Sequence, residues 1–185
     1  YVLLTQNFEP TDSLSTLTLA QRGQVNDRVK LYLTGHDKRD FKAITRIMSR
    51  GNTLENAENN AAAVSYSIVQ EENKIIFARD INLNMTPFRF QEAEITLYIP
   101  FGLPFKMDAD LGKILRNTLY PNGYNTSYLK GHKWAFDQNG LNCITCDLQT
   151  PDTPMPPNMD EVTPQRPVAP SAPSWEEIDL KPVIY

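Results

Sequence analysis

Glu94-Ile-Thr-Leu-Tyr-Ile-Pro-Phe-Gly-Leu-Pro-Phe-Lys-Met-Asp108 is the most strand-like stretch of this chain, and a corner interrupts it. Ile95, Leu97 and Ile99 alternate with Glu94, Thr96 and Tyr98, a period of two that gives a strand one apolar face. Pro100 lacks a ladder donor and ends the strand, Gly102 allows a turn conformation closed to other residues, and Pro104 fixes φ at the exit. Phe105 and Met107 resume the alternation. Strand, corner and strand read either as a hairpin or as one rung of a coil of strands. The flanking prolines weigh against a two-residue hairpin, whose turns favour Asn-Gly or Gly-X.

Upstream of this stretch, residues 1–13 read as an irregular lead-in broken by Pro10 and Thr11-Asp12-Ser13, and Leu14, Leu17 and Leu19 suggest a first strand. Val29, Leu31 and Leu33 mark a second, closed by Thr34-Gly-His-Asp37 as a turn whose glycine takes positive φ. Residues 41–48 suggest a further, half-exposed strand. Residues 52–63 are the one helix expected. Asn52 serves as its cap, Glu55 completes a capping box, and Leu54, Ala57, Ala61 and Val64 form one stripe. A hairpin follows around Glu71-Glu-Asn73, then an aromatic loop over residues 81–91 that contains Thr86-Pro-Phe-Arg-Phe90. Beyond Asp108, residues 111–119 fit a strand or a short helix equally. Tyr120-Pro-Asn-Gly123 is a turn, and Asn139-Gly140 predicts a hairpin across residues 133–145.

Nine of the 14 prolines and none of the eight glycines lie in residues 151–185, so that segment is expected to run extended without a core of its own. The organisation expected is a lead-in and first strand over residues 1–26, a β-rich domain over 27–148, and a Pro-rich acidic tail over 149–185. Residues 1–150 carry 16 acidic and 16 basic side chains, so the net charge of -4 comes from six acids against Arg166 and Lys181 in the tail. No basic field exists, which sets nucleic acid aside as a partner. No apolar run approaches the ~20 residues of a membrane helix. The chain does not begin with Met, which reads as processing or excision from a longer protein.

Cys143 and Cys146 are the only cysteines and form a Cys-x-x-Cys. A redox dithiol draws a lowered thiol pKa from a helix N-terminus, and here the motif falls in a predicted strand. A zinc site needs four ligands; only His36 and His132 are available to join, at a spacing that fits no common finger, so no metal or cofactor is expected. A disulfide requires the strand to bend at Ile144-Thr145, because residues three apart on a regular strand lie about 10 Å apart, beyond the roughly 7 Å limit for bridging. The bridge and two free thiols both stay open. His36 and His132 sit in turns without an evident catalytic partner, and Asp108 and Asp110 read as a solvated turn rather than a calcium site. Trp134 reads as core packing. Trp175, Ile178 and Leu180 form an apolar island in the polar tail, suited to docking on the chain's own body or on a partner.

Taken together, these residues resemble the C-terminal extracytoplasmic region of bacterial phage-shock-protein-C (PspC) domain proteins. The resemblance rests on the Ala57/Ala61 helix with Val64-x-Tyr66, Ile95-Thr-Leu-Tyr-Ile-Pro100 with Phe105-Lys-Met-Asp108, Trp134, and Gly140-Leu-x-Cys-x-x-Cys146. It covers roughly residues 27–147. It implies a segment that follows membrane helices, faces the cell envelope, serves envelope-stress response without catalysis, and is similar to adhesin-like β-solenoids. The proline-rich tail has no counterpart in it.

The fold expected is mostly β, a solenoid-like coil of strands with one short helix; a β-sandwich is the alternative. The function expected is a non-catalytic sensing or interaction domain of a membrane-anchored envelope protein. Its partner would be an envelope protein or its own membrane region, and homo-oligomers are plausible because an open coil end exposes strand edges. A thiol-disulfide redox protein using Cys143 and Cys146 is a second reading, and a surface adhesin-like binding module a third.

Overall fold

The alternation around Ile95 becomes strand β7 (Glu92–Pro100), whose inward residues Ala93, Ile95, Leu97 and Ile99 are all fully buried in the computed structural model. That structure describes residues 1–10 and 14–146. Burying Ile95, Leu97 and Ile99 contributes about 1.5–3 kcal/mol apiece as an upper estimate. Strand β3 (Val29–His36) pairs parallel with β7, from Val29 opposite Ala93 to His36 opposite Pro100. On the other side β4 (Phe41–Met48) runs antiparallel, and β1 (Val2–Phe8) pairs antiparallel with β4. The sheet order is β1-β4-β7-β3. On its outer face Lys30, Glu94 and Arg46 stand in cross-strand register, and Lys30 is hydrogen-bonded to Glu92 at 2.7 Å. Such pairs favour one register over a slip.

The second sheet has the order β10-β9-β8-β2-β6-β5. Its members are β2 (Ser15–Leu19), β5 (Ile68–Glu71), β6 (Lys74–Phe77), β8 (Phe105–Met107), β9 (Lys133–Asp137) and β10 (Gly140–Cys143). Strand β2 pairs parallel with both β6 and β8, while β5, β9 and β10 add antiparallel edges. Inward residues of both sheets, from Leu31 and Leu97 to Phe77, Phe105 and Trp134, belong to one hydrophobic cluster. The fold is mostly β with one short helix.

Strands β7 and β8 lie in different sheets, so the Pro100–Pro104 corner is not a hairpin. Two successive amides hold it. Phe101 N–H donates to the His36 carbonyl at the end of β3, and Gly102 N–H donates to the Phe136 carbonyl in β9, each at 2.8 Å. Gly102 adopts a φ of 72°, the left-handed conformation that the turn chemistry demanded.

Several local expectations are corrected. The lead-in contains β1, which the sequence hid because this edge strand buries little besides Phe8 and shows no apolar alternation. The strands of residues 1–26 pair with strands of the later chain, β1 with β4 and β2 with β6 and β8. Strand β4 buries one whole face through Phe41, Ala43, Thr45 and Ile47, because that face packs into the shared hydrophobic cluster. Gly35 is not a turn residue. It lies within β3, where a Cβ would meet Phe101 at 2.3 Å and Phe136 at 2.8 Å, so the need is for space rather than positive φ.

Helix α1 (Leu54–Ala62) starts one residue later than expected. Thr53 is its cap, its hydroxyl accepting from Asn56 N–H at 3.1 Å, and Leu54 is exposed while Ala61 packs inward. Residues 109–113 form a 3-10 turn, after which Leu115 makes a single parallel bridge to Leu31; the short apolar run carried both signals. The 149–185 tail lies outside the described residues.

Replacing Gly35 by Ala is expected to lower stability by about 1–3 kcal/mol through overpacking. Adding Phe101→Ala, which removes the nearest ring, should recover part of that loss. Urea midpoints of the two single variants and the double variant check this; strictly additive costs would refute the steric coupling.

Candidate functional site

Three of the residues singled out for chemistry, His132, Cys143 and Cys146, converge at the open end of the β9–β10 hairpin. Its turn is Gln138-Asn139, one step earlier than the Asn-Gly reading, with Gly140 opening β10 at a φ of 138°. Asp137 Oδ1 accepts from the amides of Asn139 (2.7 Å) and Gly140 (3.0 Å), the side-chain mimic of a turn that makes Asp favourable there. Asn122 Oδ1 accepts from Leu141 N–H at 2.9 Å and would meet a Cβ at position 140 at 2.2 Å, so only glycine fits.

At the other end of the hairpin Cys143 stands opposite Trp134, and Ile144 N–H still donates to the Lys133 carbonyl at 2.7 Å. The chain then leaves the strand. Cys146 returns to a Cα–Cα distance of 5.5 Å from Cys143, and the two sulfurs are bonded. The bend at Ile144-Thr145 supplies the approach that a straight strand forbids. Thr145 Oγ1 accepts from Lys133 N–H at 3.0 Å and lies 3.3 Å from His132 Nδ1. The ligand atoms of His132, Cys143 and Cys146 all lie within 4.8 Å of one another.

An aromatic floor supports this bend. Trp134 is fully buried, and Tyr124 meets it edge-on at 5.0 Å between centroids. The Tyr124 hydroxyl accepts from Cys143 N–H at 3.1 Å. Trp134 Nε1 has no hydrogen-bond partner among the described residues, a costly position for a buried donor.

Chemically the bonded pair is closed: neither sulfur is a nucleophile or a ligand until two electrons and two protons are added. The reduced pair with His132 would present three nitrogen and sulfur ligands, one short of a closed tetrahedral zinc set. A cationic imidazole there would favour a thiolate.

The other expected candidates are scattered. His36 Nε2 lies 2.8 Å from the Asp40 carbonyl, and its ring contacts Tyr98 edge-on, away from the cysteines. Asp110 is ion-paired with Lys113 at 2.7 Å and Arg79 at 2.9 Å, whose hydrogen bonds hold its carboxyl below the usual range. Asp108 opens the 3-10 turn. Trp175, Ile178 and Leu180 fall outside the described residues. The proximity of His132 to the cysteines was not anticipated, yet the hairpin pairing carried the signal. Trp134 faces Cys143, so two further steps along the same register set His132 against Thr145.

Residues 20–150 match the family model described as the toast-rack domain found in some PspC proteins, at their C-terminal side. The chain belongs to this family. Neither a curated protein nor a solved structure matches it. The toast-rack match takes in three of the four strands of the first sheet, five of the six of the second, the corner and the cysteine pair, and its start at residue 20 leaves β1 and β2 outside. Among the described residues of this toast-rack chain no helix is long and apolar enough to cross a membrane.

Reducing the disulfide is expected to lower stability by about 2 kcal/mol, the loop-closure value for so short a ring, without loss of the β fold. Urea unfolding with and without a dithiol reductant, read by far-ultraviolet circular dichroism, checks this. Complete unfolding on reduction would show that the bend, rather than the two-sheet core, holds the structure.

Proposed function

We propose that this toast-rack domain is a non-catalytic sensing or interaction module of a membrane-anchored envelope-stress protein, facing the extracytoplasmic side. The observation that carries this reading is the family match over residues 20–150. The Cys143–Cys146 bond supports it, since such bonds persist in oxidising compartments. On this reading the fold is a coil variant, with the β8-β2-β6 and β3–β7 parallel ladders as its stacked rungs and the antiparallel strands as edge covers. Its partner is an envelope protein or the membrane region of its own chain. Docking of Trp175, Ile178 and Leu180 is the route by which the tail would take part.

His132 beside the sulfurs favours one second reading, a thiol-disulfide exchanger. In that case Cys143→Ser would keep the fold and lose disulfide exchange with a small dithiol.

The test is made in cells carrying the intact membrane protein. Deleting residues 20–150 is expected to change an envelope-stress reporter at least severalfold while membrane insertion persists. Cys143→Ser with Cys146→Ser should leave the reporter response in place. An unchanged reporter after the deletion would remove the sensing role, and a response abolished by the cysteine changes alone would transfer the function to the redox pair.

A further inference from the structure

The loop between β6 and β7 displays apolar side chains that the two-sheet core does not use. Met85 is fully exposed, at 103%, and Phe88 and Phe90 are 47% and 60% exposed. Three large exposed apolar groups within six residues of one loop, two of them rings 5.5 Å apart, call for an explanation that a singly exposed leucine does not. Three residues of this loop, Asn84, Met85 and Phe90, adopt positive φ without being glycine, a conformation that persists only where surroundings enforce it.

The enforcement is visible. Gln91 is completely buried, and its side chain spans the loop base: Oε1 accepts from Arg89 N–H at 2.6 Å, and Nε2 donates to the Pro87 carbonyl at 3.2 Å. The Arg89 carbonyl accepts from Arg50 N–H at 2.9 Å and from the Ser49 hydroxyl at 3.2 Å. The two phenylalanine rings lie 5.5 Å apart on this braced loop, each about half exposed. The presentation is built into the loop before any ligand arrives.

Cations surround the tip. Arg28 lies 5.2 Å from the centre of the Phe88 ring, and Arg50 lies 4.6 Å from that of Phe90. Arg28 is ion-paired with Asp80, whereas Arg50 and Arg89 have no carboxylate partner among the described residues. Beside Phe90 lies a cleft of about 400 Å³ lined by Arg50, Arg89, Asn52, Asn56 and Asn60, with no acidic residue in its wall. Residues 1–150 carry equal numbers of acids and bases, so this concentration of positive charge is local.

We propose that this loop is a membrane-docking tip, with Met85, Phe88 and Phe90 seated among the acyl chains and the adjacent arginine–asparagine cleft receiving the phosphate of an anionic phospholipid. Exposed aromatics in a cationic surround suit the headgroup boundary, where rings enter the apolar layer and guanidinium groups remain among phosphates. Unpaired arginines suit an anionic surface, each worth about fivefold in partitioning. The asparagine amides add uncharged hydrogen bonding that a phosphate can accept. A protein partner would require a complementary surface; a bilayer requires only exposed apolar groups and positive charge, which this loop and its neighbours present. The inference is independent of the envelope-sensing reading, because it concerns the affinity of the isolated chain for lipid.

The experiment is co-sedimentation of the 185-residue chain with vesicles of phosphatidylcholine alone and of phosphatidylcholine with phosphatidylglycerol. Binding is expected only to the second, and to weaken as salt rises. Phe88→Ser with Phe90→Ser should reduce it about tenfold or more, and Arg50→Gln with Arg89→Gln by about 25-fold at low salt. Circular dichroism and thermal midpoints establish that these surface variants keep the fold, and only folded variants are scored. Absence of binding to the anionic vesicles overturns the proposal and leaves a protein as the occupant of the tip. Binding that survives loss of both phenylalanines also overturns it, because attraction would then come from charge elsewhere. Equal binding to both vesicle types overturns the anionic headgroup assignment.

Discussion

Two neighbouring peptide groups at one corner hold the two sheets in register. Phe101 gives its amide to β3 in the first sheet, and Gly102 gives its amide to β9 in the second. The corner has no freedom to drift, because Pro100 and Pro104 fix φ on either side. Its one ring, Phe101, reaches over a glycine in β3 that leaves room for it. The two amides are satisfied together only while both sheets are in place, so the corner ties one sheet to the other. The shared hydrophobic cluster supplies most of the stabilisation; the corner selects which arrangement that stabilisation supports.

Much of this was legible in the sequence, and the failures have particular physical causes. The alternation of β3 and β7, the β5–β6 hairpin and the β9–β10 hairpin were readable because each buries one face, which writes a period of two into the residues. Strand β1 was unreadable because an edge strand with exposed side chains on both faces writes no period. Gly35 was misread because a glycine near a polar cluster looks like a turn, while its requirement, a phenylalanine ring 66 residues away in sequence, is invisible locally. The parallel pairing of β2 with β6 and β8 was equally hidden, since partner choice between distant strands leaves no mark on either one.

The cysteine bend shows a similar division. The requirement for a bend was derivable from the rise of a strand, and its place at Ile144-Thr145 followed from the spacing. The aromatic floor beneath it was not derivable. Tyr124 belongs to an irregular segment, and only the fold brings its hydroxyl to the Cys143 amide. Sequence thus disclosed which residues were chemically capable, and the fold decided which of them met.

The parallel pairing of β3 with β7 also constrains the order in which this chain can mature. Residue 29 meets residue 93, and residue 36 meets residue 100, so β3 lacks its β7 ladder until the chain through residue 100 has left the ribosome. Strand β2 likewise waits for residues 74–77 and 105–107. Among the described ladders only β1–β4 can close before β6 has been made, and it does not enclose the core. Long loops must therefore close before burial rewards them, a topology associated with slow folding. A nascent chain of this kind holds apolar strands exposed until their later partners are made, the interval in which association between chains competes with folding.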